Sequence, residues 1–165
     1  LDAAVRALLL WMEQSALGGF MRESSLWTYP VVNLSHIFGI GALFGAVIII
    51  DLRLVGVWSK VPLTAITDTA IPVAVAGFTV AVVTGAGLLA TKATEYIGNP
   101  YLFIKFAAIA VGIVNAALLN RLPAWRARRE RELSSDENRR LAVFGVVSLT
   151  CWVVAVSAGR LIAYW

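Results

Sequence analysis

Residues 29–50 read YPVVNLSHIFGIGALFGAVIII. The stretch holds no Asp, Glu, Lys or Arg, and its only strongly polar side chains are Asn33 and His36. A bilayer core is about 30 Å thick and takes about 20 apolar residues of helix to cross. The stretch meets that length. Its apolar residues form one block rather than a stripe at amphipathic spacing, the pattern expected where hydrocarbon is the solvent.

Three more blocks repeat the pattern further along the chain. Residues 71–91 carry no charge, residues 101–120 carry only Lys105, and residues 141–160 are uncharged up to Arg160. The composition agrees: of 165 residues 59% are hydrophobic and 15% charged, with a mean hydropathy of +0.79. A soluble domain carries about 25% charged residues. These features predict an all-α chain, one membrane domain over residues 1–165, folded as an antiparallel four-helix bundle with short connections. The residues before the first span mix Val5, Leu8, Leu9, Trp11 and Met12 with Asp2, Arg6, Glu13 and Arg22. They are too broken to span and predict an amphipathic helix over about 2–22, lying in the membrane interface. The segment 52–70 has a similar character, with Leu54, Val57, Trp58 and Val61 able to rest on the opposite interface.

Helix starts are marked. Pro30, Pro72 and Pro100 each suit a first turn, where the missing N–H is harmless. Ser134 and Glu137 have capping-box spacing ahead of the last span. The net charge of +4 concentrates in one connection, which holds Arg121, Arg126, Arg128, Arg129, Arg131, Arg139 and Arg140. Arg53 and Lys60 lie in the connection on the same side, whereas Arg6, Arg22, Lys92 and Arg160 lie on the other. The positive-inside rule accounts for this distribution without a nucleic-acid partner and predicts residues 51–70 and 121–140 in the cytoplasm, with both termini outside. Trp27, Trp125 and Trp165 fall at the expected interfaces. Cys151 is the single cysteine, so no internal disulfide forms.

Small residues mark where membrane helices pack closely. They are Gly41 and Gly45 on the first span, and Gly77, Ala81 and Gly85 on the second. The third offers Ala108, Gly112 and Ala116, and the fourth Gly145, Ser148, Ala155 and Gly159. At about 100° per residue, Asn33, His36 and Asp51 share one face of the first helix, with Gly41 and Gly45 nearly opposite. Two special faces predict that one looks into the bundle while the other meets a second copy, another membrane subunit or a cofactor.

His36 is the one histidine, about 10 Å inside the outer boundary at 1.5 Å per residue. An intramembrane ionisable group is a functional candidate by default. Thr84 and Ser157 reach a similar depth, with Lys105 slightly above, and together these could form one polar layer. Neutral imidazole suits a haem iron or a chlorophyll magnesium, and it can also bond a quinone carbonyl or relay protons. The alternative is a histidine hydrogen-bonded to a neighbouring hydroxyl or carbonyl. Lys105 can also simply snorkel outward. Asn115 is expected to bond across helices, and Asp51 and Arg53 to form a solvated or mutually paired cluster at the helix end. There is no second histidine, no Cys-x-x-Cys, no carboxylate cluster within the spans and no nucleophilic constellation.

The run Met21-Arg22-Glu23-Ser24-Ser25-Leu26-Trp27-Thr28-Tyr29-Pro30, then His36, then Asp51-Leu52-Arg53-Leu54-Val55-Gly56, resembles a family of small bacterial four-helix membrane proteins of unknown function. Thr84-Gly85, Ala93-Thr94-Glu95-Tyr96-Ile97-Gly98-Asn99-Pro100, Lys105, Asn115 and Ala158-Gly159-Arg160 extend the resemblance over nearly the whole chain. The pattern is distantly similar to the copper-resistance CopD membrane domain and to b-type cytochrome bundles. Asn33 stands where the family tends to have Glu, and Asn120 where it often has His. The resemblance implies a bacterial inner-membrane protein concerned with haem, electrons or metal. Three functions are therefore expected in this order: a redox-associated subunit binding haem b or a chlorophyll-type pigment through His36, an accessory subunit of a larger membrane complex, and a small transporter. Transport ranks last because no span carries an acidic residue at mid-membrane.

Overall fold

The computed structural model describes residues 2–165, which are helical nearly throughout, with no strand among them. Two short helices, α1 (Asp2–Gln14) and α2 (Ala16–Glu23), precede two long ones, α3 (Thr28–Val55) and α4 (Leu63–Thr91). A 3₁₀ turn at Ala93–Tyr96 leads to α5 (Pro100–Arg121), the short α6 (Pro123–Ala127) and α7 (Ser135–Leu161). The long helices α3, α4, α5 and α7 are each long and apolar enough to cross a membrane.

Most helix ends obey the expected signals. Pro30 lies in the first turn of α3 and Pro100 opens α5. The Ser134 hydroxyl accepts from the Glu137 N–H at 3.3 Å, and the Glu137 carboxylate accepts from the Ser134 N–H at 2.9 Å. Pro72 departs from expectation: α4 begins at Leu63, directly after Pro62, so Pro72 sits inside the helix. Residues 63–70 contain no breaker, and one proline removes a single N–H whose loss an apolar, packed helix tolerates. The segment expected to lie flat over 52–70 is therefore divided between the end of α3, a turn and the start of α4. Gly56 makes that turn at φ +107, in the left-handed region, and Trp58 follows at φ +53. Arg53 holds the turn, its Nε donating to the Val61 carbonyl at 2.7 Å and its Nη2 to the Ser59 carbonyl at 3.2 Å.

The chain forms two units. One contains residues up to Leu43 with Val75–Asn99; the other contains Phe44–Ala74 with Pro100–Trp165. In the first, residues 2–22 form two helices rather than one, broken at Ser15, whose hydroxyl caps α2. They are fastened to the C-terminal end of α4. Arg22 donates to the carbonyls of Ala90 and Thr91, and the Glu13 carboxylate accepts from the Thr94 N–H and hydroxyl, each at 2.7 Å. The Thr94 backbone N–H, with the hydroxyl beside it, holds the Glu13 carboxyl below the usual carboxylate range. Leu9 and Met21 are buried, while Leu8, Trp11 and Phe20 remain exposed. Next along, α3 and α4 touch backbone to backbone: a Cβ on Gly77 would meet the Leu43 nitrogen at 2.5 Å, and one on Gly39 the Ala81 nitrogen at 2.9 Å.

In the second unit, parts of all four long helices pack together. Ala46, Ile50 and Leu54 of α3 meet Leu63 and Ala70 of α4, Leu119 of α5 and Leu141 of α7. Asn115 bonds across helices as expected, its amide donating to the Phe144 carbonyl at 3.0 Å. Trp125 is buried in protein rather than presented at the surface. It sits on α6 within this core, 4% exposed, its indole N–H donating to Asn120 Oδ1 at 3.0 Å and the Arg128 guanidinium stacked 3.8 Å above its ring. Sequence position alone put it at a boundary, but the short helix turns it inward. Gly145 brings α7 against α3: a Cβ there would lie 2.9 Å from Leu54 Cβ and 3.0 Å from the Asp51 carbonyl oxygen. Gly41 and Gly45, in contrast, face open space with nothing within 4 Å.

These contacts separate the glycines by energy. Gly145→Ala should destabilise the protein by about 1–3 kcal/mol, because its methyl enters occupied volume. Gly41→Ala should change stability by no more than about 0.5–1 kcal/mol, and in the stabilising direction. Unfolding of the detergent-solubilised variants checks this, and equal losses at both positions would contradict the packing described.

Candidate functional site

His36 lies in the third turn of α3, in the first unit, facing Thr84 and Gly85 of α4. The approach begins one turn away, where Gly39 and Gly77 let the two backbones touch. Gly85 completes it: a Cβ there would fall 2.9 Å from His36 Cε1 and 3.4 Å from Nδ1. The imidazole therefore rests on bare backbone, in a slot that any side chain at residue 85 would fill.

A hydrogen bond to Thr84 orients the ring. His36 Nδ1 lies 3.0 Å from Thr84 Oγ1, and Thr84 Oγ1 lies 2.5 Å from the Val80 carbonyl. A hydroxyl has one proton, and the carbonyl can only accept, so that proton goes to Val80. The Thr84 oxygen then accepts from Nδ1–H. The imidazole assigned by this network carries a proton on Nδ1. Of the residues expected around His36, Thr84 is thus in direct contact. This is the hydrogen-bonded arrangement expected for His36, with a neighbouring hydroxyl as its partner.

The remaining two expected residues belong to the second unit. Lys105 runs along α5 against Gly159 of α7, where a Cβ would lie 3.6 Å from its Cδ, Cε and Nζ. Ser157 occupies the exposed side of α7, between the buried Ala155 and Ala158. The two are placed by separate helices and serve different surfaces.

Asp51 is the residue that sequence reasoning placed in the wrong surroundings. It is neither solvated nor paired with Arg53, which is committed to the turn carbonyls. Asp51 is 3% exposed, one carboxyl oxygen is hydrogen-bonded to the Ser148 hydroxyl, and Oδ2 has no partner. A signal was present: Asp51 shares the helical face of Asn33 and His36, and Gly145 and Ser148 offer a small-residue surface to receive it. Glu13 was also missed, and nothing in its spacing from Thr94 announces a bond over so long a separation.

Among the described residues no three His, Cys, Asp or Glu side chains gather as a metal site. Comparison with protein-family models, with curated proteins and with solved structures finds no match to this chain.

The tautomer is directly testable. Nitrogen NMR of the histidine-labelled protein should report Nδ1–H in the wild type. Thr84→Val removes the acceptor and should shift the population toward Nε2–H. An unchanged histidine spectrum in Thr84→Val would mean that the bond does not set the ring.

Proposed function

We propose that this chain is a small multi-pass membrane subunit in which His36 is the single axial donor to a tetrapyrrole-bound metal, haem b or a chlorophyll-type pigment. The observation that supports this reading is the hydrogen bond between His36 Nδ1 and Thr84, an outer partner of the kind that orients a ligating histidine. Thr84 would orient the ring, and Gly85 would keep the slot open for it. Bound iron would supply one-electron redox chemistry, and a bound chlorin would supply light absorption. With one histidine per chain, a bis-imidazole haem would require the second imidazole from another chain.

The architecture belongs to the same proposal: an antiparallel bundle in a bacterial inner membrane, residues 51–70 and 121–140 cytoplasmic, both termini periplasmic. The arginine distribution supports this direction. Support for the interfacial placement of α1 and α2 comes from the exposed Leu8, Trp11 and Phe20. A second reading, a non-catalytic accessory subunit or a homo-oligomer, is favoured by one observation: Gly41 and Gly45 offer a smooth stretch of α3 with nothing against it.

An absorption spectrum of the chain purified from its own membrane separates the readings. The redox or pigment reading predicts a Soret or chlorin band that His36→Ala abolishes, while Gly41→Leu leaves it intact. A colourless, metal-free preparation that co-purifies with other membrane subunits would instead support the accessory reading and overturn the first.

A further inference from the structure

Asp51 is an ionisable group that the proposed function leaves without a role. Its carboxyl is enclosed by the second unit, and Oδ2 has neither a protein partner nor contact with solvent. The charged and polar groups around it are committed elsewhere. On its own helix Arg53 donates to the Val61 and Ser59 carbonyls. On α4 Asp68 is ion-paired with Arg129 at 2.5 Å. On α5 the Asn115 amide donates to the Phe144 carbonyl. From α7 the neighbouring group is the Ser148 hydroxyl, with Arg139 and Arg140 exposed. No ion pair among the described residues includes Asp51.

A carboxylate with one oxygen unbonded is strongly disfavoured in such surroundings, and it has two ways to be relieved: a cation or a proton. A metal ion needs several oxygen ligands and space for its own radius. Among the described residues no group of three His, Cys, Asp or Glu side chains that could hold such an ion includes Asp51. A proton needs no space, and it converts the carboxyl into a neutral group with a donor of its own.

We propose that Asp51 is a proton-binding site within the second unit, exchanging its proton with the aqueous phase beyond the end of α3. The proton comes from water and returns to water, and no other bond forms or breaks. A recess of about 320 Å³ lies close by, lined by Arg53, Leu54, Gly56, Ser59, Ser135 and Asn138. Its polar walls can hold water, and the lining residues Arg53 and Leu54 follow Asp51 by two and three positions on α3. The inference does not depend on His36 binding anything.

Infrared spectroscopy of the full chain in lipid tests the proposal. The wild-type minus Asp51→Asn difference at neutral pH should contain the C=O band of a protonated carboxylic acid. The band should shift in heavy water, move in Ser148→Ala, and give way to carboxylate bands as the pH is raised with the protein still folded. Only carboxylate bands in the difference would overturn the proposal, as would an acid band that never titrates before unfolding. If Asp51→Asn fails to fold, the same titration of wild type against Ser148→Ala gives the decision: a titrating acid band that moves in Ser148→Ala supports the site, and a band indifferent to Ser148 refutes it.

Discussion

Apolar surface must be covered, and in this chain protein covers little of it. In the apolar windows of the four long helices, the share of residues buried ranges from 17% for α5 to 33% for α3. Phe38, Val83, Val143 and many other large side chains point away from both cores. Each such side chain left in water forfeits about 1.5–3 kcal/mol that burial would supply, and a folded domain has only about 5–15 kcal/mol of net stability. Water is therefore a poor solvent for this fold. Hydrocarbon, in the proposed placement, covers those side chains without help from the protein.

That placement changes what holds the helices together. Lipid tails are as apolar as leucine, so leucine contacts between helices lose much of their advantage, and close backbone approach and hydrogen bonds gain weight. The structure is built in that way. Gly39 and Gly77 bring α3 and α4 together in the first unit, Gly145 brings α7 against α3 in the second, and Asn115 bonds to Phe144. His36 and Asp51 then stand out because each is an ionisable group on the same apolar helix, and each is met by a hydroxyl: Thr84 in one unit, Ser148 in the other. The two differ in consequence. The Thr84 bond orients the His36 ring, whereas the Ser148 bond leaves Oδ2 of Asp51 without a partner.

The four long helices were legible because their signal, an uninterrupted apolar block, is local. So were the capping box at Ser134 and the cross-helix bond of Asn115, where a lone amide in an apolar helix has little else to do. Other features depend on which face a residue finally presents. Gly41 and Gly45 resemble a packing stripe, but the contact runs through Gly39, two residues away on a different face. Trp125 reads as a boundary residue until α6 turns it inward. Pro72 reads as a helix start because the earlier start, after Pro62, lacks an apolar block to announce it. Of the candidate site, the pairing of His36 with Thr84-Gly85 was within reach of the sequence. The enclosure of Asp51 was signalled only by its helical face, and Arg53, two residues on, offered a more obvious partner that the turn carbonyls took instead.

The most direct test of hydrocarbon as the solvent of these helices is fractionation of cells expressing the untagged chain, with an alkaline wash of the membranes before detergent is added. The account predicts that the chain stays in the washed membrane pellet and enters solution only with detergent, with its helical content retained. Recovery of a folded, monodisperse, detergent-free chain in the aqueous supernatant would contradict it.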